Sequence, residues 1–260
     1  MHHPGRVATA LLFASGAIMP AQQSTDPYPF AVGNYWIYQG RVANLSPPDS
    51  HEMTWRSQIA KVVHRNGGVN AAGRLEPSIV AAVFDNFPLG LPAWYPGSEG
   101  PLGILIEVNS RKFYAIAYTQ AAVGKLGMQS AASEISAILL RVEDPRDNLS
   151  DLLDDLTPVI EMPLAPGKGW GLPFSHWSVT QSEKYSLTGV RGVCDPLNRE
   201  GFILENSDNT GTVRFGFVPG VGITHVFSES LLPRGNPGHR ELDVRLVEVH
   251  LDKPKAAVAR

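Results

Sequence analysis

The chain is almost without cysteine: Cys194 is the only one in 260 residues. No intramolecular disulfide can form, and a cysteine-rich zinc site is excluded. The expected place for that thiol is as a small buried hydrophobe, with a reactive thiol as the alternative. Charge is also scarce, at 18% of residues against roughly 25% in soluble domains. The formal net charge of −3 provides no basic footprint for nucleic acid or anionic lipid. The apolar run Val7–Met19 falls short of the roughly 20 residues a membrane helix needs. GSEG and GKGWG lack the strand–loop–helix context of a phosphate loop, and no Gly-x-Ser-x-Gly elbow occurs. His51-Glu52 has no second histidine at zinc-protease spacing. No cofactor and no metal ion are expected.

What is abundant is turn chemistry. With 25 Gly and 21 Pro, the composition suits many short strands joined by tight connections. At the N-terminus, Arg6 precedes Val7–Met19, and Pro20-Ala21-Gln22 follows. A basic start, about a dozen apolar residues and a terminal small residue describe a secretory signal over residues 1–21, cleaved after Ala21. No cysteine ends the run, so no lipid anchor is expected. A secreted or periplasmic location follows.

Period-two patterning dominates the rest. In YPFAVGNYWIYQG, Tyr35 and Ile37 face one way, Trp36 and Tyr38 the other, with Gly33-Asn34 opening the strand and Gly40 closing it. Ala43 to Ser50 reads as a polar loop. Met53, Trp55, Ile59 and Val63 then share a face of a strand that ends at Asn66-Gly67-Gly68. Shorter strands are expected at Ser78 to Phe84, Gly103 to Val108 and Lys112 to Tyr118, the last two forming a hairpin through Asn109-Ser110-Arg111. Between the first two of these, FPLGLPAWYPGSEGP is a long loop with an aromatic tip, the kind of loop that often carries function. Later, Trp177, Val179, Tyr185 and Leu187 alternate with polar residues. TVRFGFVPGVGITHVF reads as a hairpin about a type II turn at Pro219-Gly220. Val213, Phe215 and Phe217 line its first arm, and Val221, Ile223 and Phe227 its second. The phase of DVRLVEVHL slips at Leu246-Val247, which predicts a bulge.

In mid-chain the period changes. Ile135, Ile138, Leu139 and Val142, with Ser133 as cap, predict one helix; Leu149, Leu152, Leu153 and Leu156, with Asn148 as cap, predict a second. They are split at Asp144-Pro145, and Asp151, Asp154 and Asp155 fall on a solvated side.

Three elements together resemble a group of uncharacterised bacterial secreted or envelope proteins. The first is the aromatic-Pro-Leu/Phe-x-x-Gly-Asn-x-Trp-x-Tyr opening, matched by Tyr28, Pro29, Phe30, Gly33, Asn34, Trp36 and Tyr38. The second is PLAPGKGWG, Pro163 to Gly171, and the third is the late hairpin Pro219, Gly220, Val221 and Gly222. The resemblance implies a β-rich extracytoplasmic domain and carries no activity. Where some of that group have His-His-Gly-Thr after the hairpin, this chain reads LLPRGNPGHREL.

The fold class expected is mainly β (α+β): one antiparallel, strongly curved sheet or sandwich over residues 24–252, with two short helices inserted mid-chain and a disordered tail at 253–260. In architecture alone it resembles lipoprotein-carrier half-barrels. The expected function is non-enzymatic: an apolar ligand, lipid or envelope protein bound in the concavity of the sheet. Candidate ligand-binding residues are Trp36, Tyr38, Trp55, Trp94 and His225; Trp170 and Trp177 complete the tryptophans, and core packing is the competing account. His225, with His176, His239 or His250, is also weighed as a ligand or general base against an ordinary histidine in an apolar wall. The alternative is a secreted hydrolase whose site uses His225 with Asp195 or Glu248. A structural module packing on another envelope protein is a third possibility.

Overall fold

The computed structural model describes residues 27–252 apart from 46–47, 70–72, 74, 90–101, 119, 148, 173–174, 194–198, 209–210 and 231–239. The expected signal and tail, Trp94, Asn148, Cys194, Asp195, His239 and most of LLPRGNPGHREL lie outside the described residues.

The strands in chain order are β1 Tyr35–Leu45, β2 Pro48–Arg65, β3 Gly68–Val69, β4 Leu75–Glu76, β5 Ile79–Asp85, β6 Leu102–Val108 and β7 Lys112–Tyr118. Two helices follow, α1 Gln120–Glu143 and α2 Ser150–Leu153. The remaining strands are β8 Ile160–Glu161, β9 Gly169–Leu172, β10 Ser175–Tyr185, β11 Arg199–Asp208, β12 Gly211–Val218, β13 Gly222–Ser230 and β14 Arg240–His250. Twelve of them form one sheet in the order β8-β7-β6-β5-β2-β1-β14-β13-β12-β11-β10-β9, while β3 and β4 make a separate ribbon. Pairing within the twelve-stranded sheet is antiparallel throughout. The mainly β, curved-sheet architecture expected from patterning is the one observed.

The sheet curls until its edges meet. β8 and β9 lie at opposite ends of the strand order, yet only residues 162–168 separate them in the chain. Trp170 Nε1, on β9, donates to the carbonyl of Pro158 at 2.7 Å. Lys168 Nζ donates to the carbonyls of Glu161 (2.6 Å) and Pro163 (3.0 Å) and stands 5.7 Å from the Trp170 ring centroid. Gly167, at φ 82°, supplies the left-handed residue this crossing requires. The PLAPGKGWG element is thus the seam of the sheet.

Curling divides the apolar residues into two cores. Inward side chains from all twelve strands form one cluster, with Trp36, Tyr38, Phe84, Phe113, Phe215 and Phe217 among its most buried members. The second cluster lies on the other face of β5 and β6, where Ile79, Ala81, Val83, Ile104 and Ile106 meet Ile135, Ile138, Leu139 and Val142 of α1. β5 is therefore buried on both faces, and its IVAAVFD run shows the near-continuous hydrophobicity such a strand needs.

Several expectations shift in detail. Gly40 lies within β1 instead of closing it: a Cβ there would sit 2.0 Å from the Asp243 carbonyl oxygen, so glycine permits the close approach of β14. The expected loop from Ala43 to Ser50 belongs largely to β1 and β2, whose register runs to Leu45–Pro48. Four register shifts occur, at Ala60, Thr180, Thr224 and Val247. The last is the bulge predicted from the phase slip at Leu246-Val247. The Ala60 shift transfers Val63 from the face of Met53, Trp55 and Ile59 to the helix side. α1 begins at Gln120, so Ser133 is not a cap; its hydroxyl bonds back to the Gln129 carbonyl within the helix. α1 does stop at Glu143, just before Asp144-Pro145. Arg65 Nη1 then donates to the Asp144 carbonyl at 2.9 Å, satisfying an acceptor just past the helix end. Among the described residues no helix is long and apolar enough to cross a membrane.

Candidate functional site

Three of the expected ligand-binding residues line the inner cluster. Trp36 and Tyr38 are 0% exposed and Trp55 is 5% exposed. Two of them are tied to the late hairpin: Trp36 Nε1 donates to the Val221 carbonyl at 2.7 Å, and Tyr38 Oη to the Ile223 carbonyl at 2.9 Å. Gly220 N donates to the Pro27 carbonyl. A Cβ on Gly222 would lie 3.1 Å from Tyr28 Cζ and 3.3 Å from Trp36 Nε1. The opening stretch and the Pro219–Gly222 turn are one packed unit. Asn34, fully buried, extends that clasp: its Nδ2 donates to the Pro29 carbonyl at 2.8 Å and its Oδ1 accepts from Asp252 N at 2.7 Å.

The interior is aromatic on most sides. Tyr28 contacts Phe30, Trp36, Phe84 and Phe217 at centroid distances of 5.1–6.3 Å, and Tyr38 lies 5.5 Å from Trp55. Among the described residues, Tyr28 Oη, Trp55 Nε1, Ser57 Oγ and Thr224 Oγ1 are shut off from solvent with no hydrogen-bond partner. Ser57 is paired in register with Trp36, and Trp55 with Tyr38. Thr224, the bulged residue next to Ile223, instead turns its hydroxyl to the outer side, where a Cβ on Gly216 would lie 2.8 Å from it. Each orphaned polar atom costs about 1–3 kcal/mol. Burial pushes the Tyr28 and Tyr38 phenols well above their ordinary range, so both stay neutral and able to donate.

His225 is not part of this wall. The shift at Thr224 puts Ile223 and Val226 inside and turns His225 and Phe227 outward, separating His225 from Ile223, with which alternation alone would group it. Its Nε2 donates to Asp243 Oδ1 at 2.8 Å, with its side chain 17% exposed. Neither Glu248 nor, among the described residues, another histidine joins it. Glu248 accepts from Tyr35 Oη at 3.0 Å and pairs with Arg191 at 2.6 Å. The bond to Glu248 is the main reason the Tyr35 phenol is held above its ordinary range. His250 stacks on Tyr35 and reaches Asp252 at 3.2 Å; His176 is exposed on β10.

Around the His225–Asp243 pair the outer face is a lattice of cross-strand neighbours. One row runs Glu205–Arg214–Phe227–Asp243–Arg41–Glu52, and the next runs His225–Arg245–Gln39–Thr54. Arg214 binds Glu205 at 2.6 Å and lies over Phe227 at 5.4 Å. A pocket of about 310 Å³ opens between the rows, lined by Gln39, Gly40, Arg41, Glu52, Glu241, Asp243 and Arg245. Sequence reasoning missed it because its members come together only through strand register.

No family model matches the chain, and no curated protein does. Among solved structures, a LolA superfamily protein from Nitrosomonas europaea is similar over 89% of this chain and 91% of its own, at 13% identity and a TM-score of 0.24. Among the described residues no group of three or more His, Cys, Asp and Glu side chains is placed to hold a metal ion.

Proposed function

We propose that this is a non-enzymatic binding protein of the extracytoplasmic space that takes an apolar or lipid molecule against the concave face of its sheet. The observation supporting this is the three orphaned polar atoms, Tyr28 Oη, Trp55 Nε1 and Ser57 Oγ, within an aromatic interior. An apolar wall with a few convergent polar handles suits an amphiphile's chain and linkage, and Tyr28, as a neutral donor, suits an ester or acid oxygen. Trp36, Tyr38 and Trp55 supply the wall. Among the described residues the inner side chains pack on one another, so uptake requires opening. The seam between β8 and β9, where the ladder is interrupted, is the place of least resistance.

The test is mass spectrometry of an organic extract of the purified protein, with tryptophan fluorescence during titration with a fatty acid. A co-purifying lipid or apolar molecule, and a fluorescence change weakened by Tyr28→Phe, are expected. A clean extract together with no fluorescence change would overturn the reading.

One observation favours a second reading, a hydrolase: the 2.8 Å His225–Asp243 pair beside a pocket. The carboxylate orients the imidazole as a base for water. No serine, threonine or cysteine nucleophile within the described lining accompanies it. Turnover of ester or phosphoester substrates that His225→Ala abolishes is the result that reading requires.

A further inference from the structure

The outer-face pocket holds charges that ought to have paired and have not. Arg41 on β1 stands directly opposite Glu52 on β2 and Asp243 on β14, positions whose Cβ atoms lie roughly 5 Å apart and where opposite charges ordinarily join. Yet among the described residues Arg41, Glu52 and Glu241 have no ion-pair partner. The cause is visible. Asp243 is drawn toward β13 by the 2.8 Å bond from His225 and stays 4.0 Å from Arg245 Nε. Two guanidinium groups, Arg41 and Arg245, thereby stand diagonally on neighbouring strands, with Gln39 directly opposite Arg245 and beside Arg41 on β1, its Nε2 3.5 Å from Thr54 Oγ1. On the other side of Arg41, Glu52 and Glu241 remain as free carboxylates. Glu241 is opposite Ala43, whose small side chain leaves that row open. Gly40 forms part of the lining, where any Cβ would run into the Asp243 carbonyl.

We propose that this pocket binds a small zwitterion: an oxyanion held by Arg41, Arg245 and Gln39, and an ammonium group held by Glu52 and Glu241. Two guanidinium forks match the oxygens of a phosphate or carboxylate. The flanking acids disfavour a bare anion and reward a cation a few bonds away, which is specificity by an opposing charge. A volume of about 310 Å³ suits a headgroup-sized molecule. A phosphate ester carrying a primary ammonium has this chemistry, whether free in solution or displayed as a phospholipid headgroup. The site is on the convex face and uses none of the interior, so its success or failure is separate from that of the interior reading.

The experiment is calorimetric titration of the full chain with phosphoethanolamine, inorganic phosphate and ethanolamine. Phosphoethanolamine is expected to bind at about 1 mM or tighter, with each half-molecule at least about tenfold weaker. Arg41→Ala should abolish binding, and Glu52→Gln should weaken phosphoethanolamine while strengthening inorganic phosphate. Both positions are exposed, and an unchanged melting temperature verifies that the variants fold. Flotation with phosphatidylethanolamine vesicles, lost in Arg41→Ala, identifies the membrane headgroup as the source; binding of phosphoethanolamine without flotation identifies a free zwitterion. The proposal is overturned if phosphoethanolamine gives no binding, if phosphate alone binds as tightly, or if Arg41→Ala leaves binding unaltered.

Discussion

Trp36 and Val221 are 185 positions apart in the chain and are joined by a 2.7 Å hydrogen bond inside the curved sheet. The bond fixes the opening stretch against the tip of the β12–β13 hairpin and satisfies an indole donor that would otherwise be stranded among aromatics. Trp36→Phe keeps most of the volume and orphans the Val221 carbonyl. It should destabilise the protein by about 1–3 kcal/mol in chemical denaturation, whereas Trp36→Ala should cost about 3–5 kcal/mol through the cavity it leaves. Equal midpoints for wild type and Trp36→Ala would place the ring outside the core.

Gly40 offers a sharper test of the β1–β14 contact. A methyl group there meets backbone at 2.0 Å (Asp243 O) and 2.8 Å (Val244 Cα), and backbone cannot rotate aside as a flexible side chain can. Gly40→Ala should cost more than about 3 kcal/mol. Gly68→Ala, with no atom within 4 Å of its added carbon, should be close to neutral. Thermal melts of the two variants compare them directly.

The seam should open before the rest of the molecule. Lys168→Ala removes the bonds to the Glu161 and Pro163 carbonyls, and amide exchange over residues 159–172 should accelerate. Exchange in β1 and β14, at the middle of the sheet, should change little. Uniform acceleration across the sheet would show that the seam and the centre unfold together.

The helix corner carries a pH dependence of defined sign. Arg141 binds Asp147 at 2.6 Å and also reaches Asp151, and these hydrogen bonds hold both carboxyls below the ordinary aspartate range. A depressed folded-state pKa stabilises above the unfolded value, roughly 4, and that stability is lost as pH falls through the folded value. Asp147→Asn should therefore melt lower than wild type at neutral pH, with the difference closing in acid. A difference that persists at low pH would point to the amide's geometry instead of charge.

Much of the architecture was legible because alternation reports burial directly. Lys112–Tyr118 has the bounds expected for it, the turn between β6 and β7 uses Asn109 and Ser110 at positive φ, and Gly220 at φ 76° suits the type II turn read from Pro219-Gly220. The bulge at Val247 was legible too, since a phase slip flanked by apolar residues marks an inserted position. The shift at Thr224 was not. Polar Thr224 and His225 sit where either phase is plausible, so alternation assigned His225 to the wrong face. The start of α1 was hidden by Gly124 and Gly127, which are poor helix formers. The pocket charges were invisible for a different reason: Arg41, Glu52 and Asp243 become neighbours only once β1 is paired with both β2 and β14.

That pairing also bears on the order of assembly. β1 is synthesised long before β14, one of its two neighbours, and Tyr35 meets His250 across that ladder. Before then one hydrogen-bonding edge of β1 stays bare, as does the ring of Trp36. The nascent chain must pass through a long interval as a sticky, half-templated ribbon. A ribosome-tethered chain ending before residue 240 should accordingly resist maturation and recruit holdase chaperones.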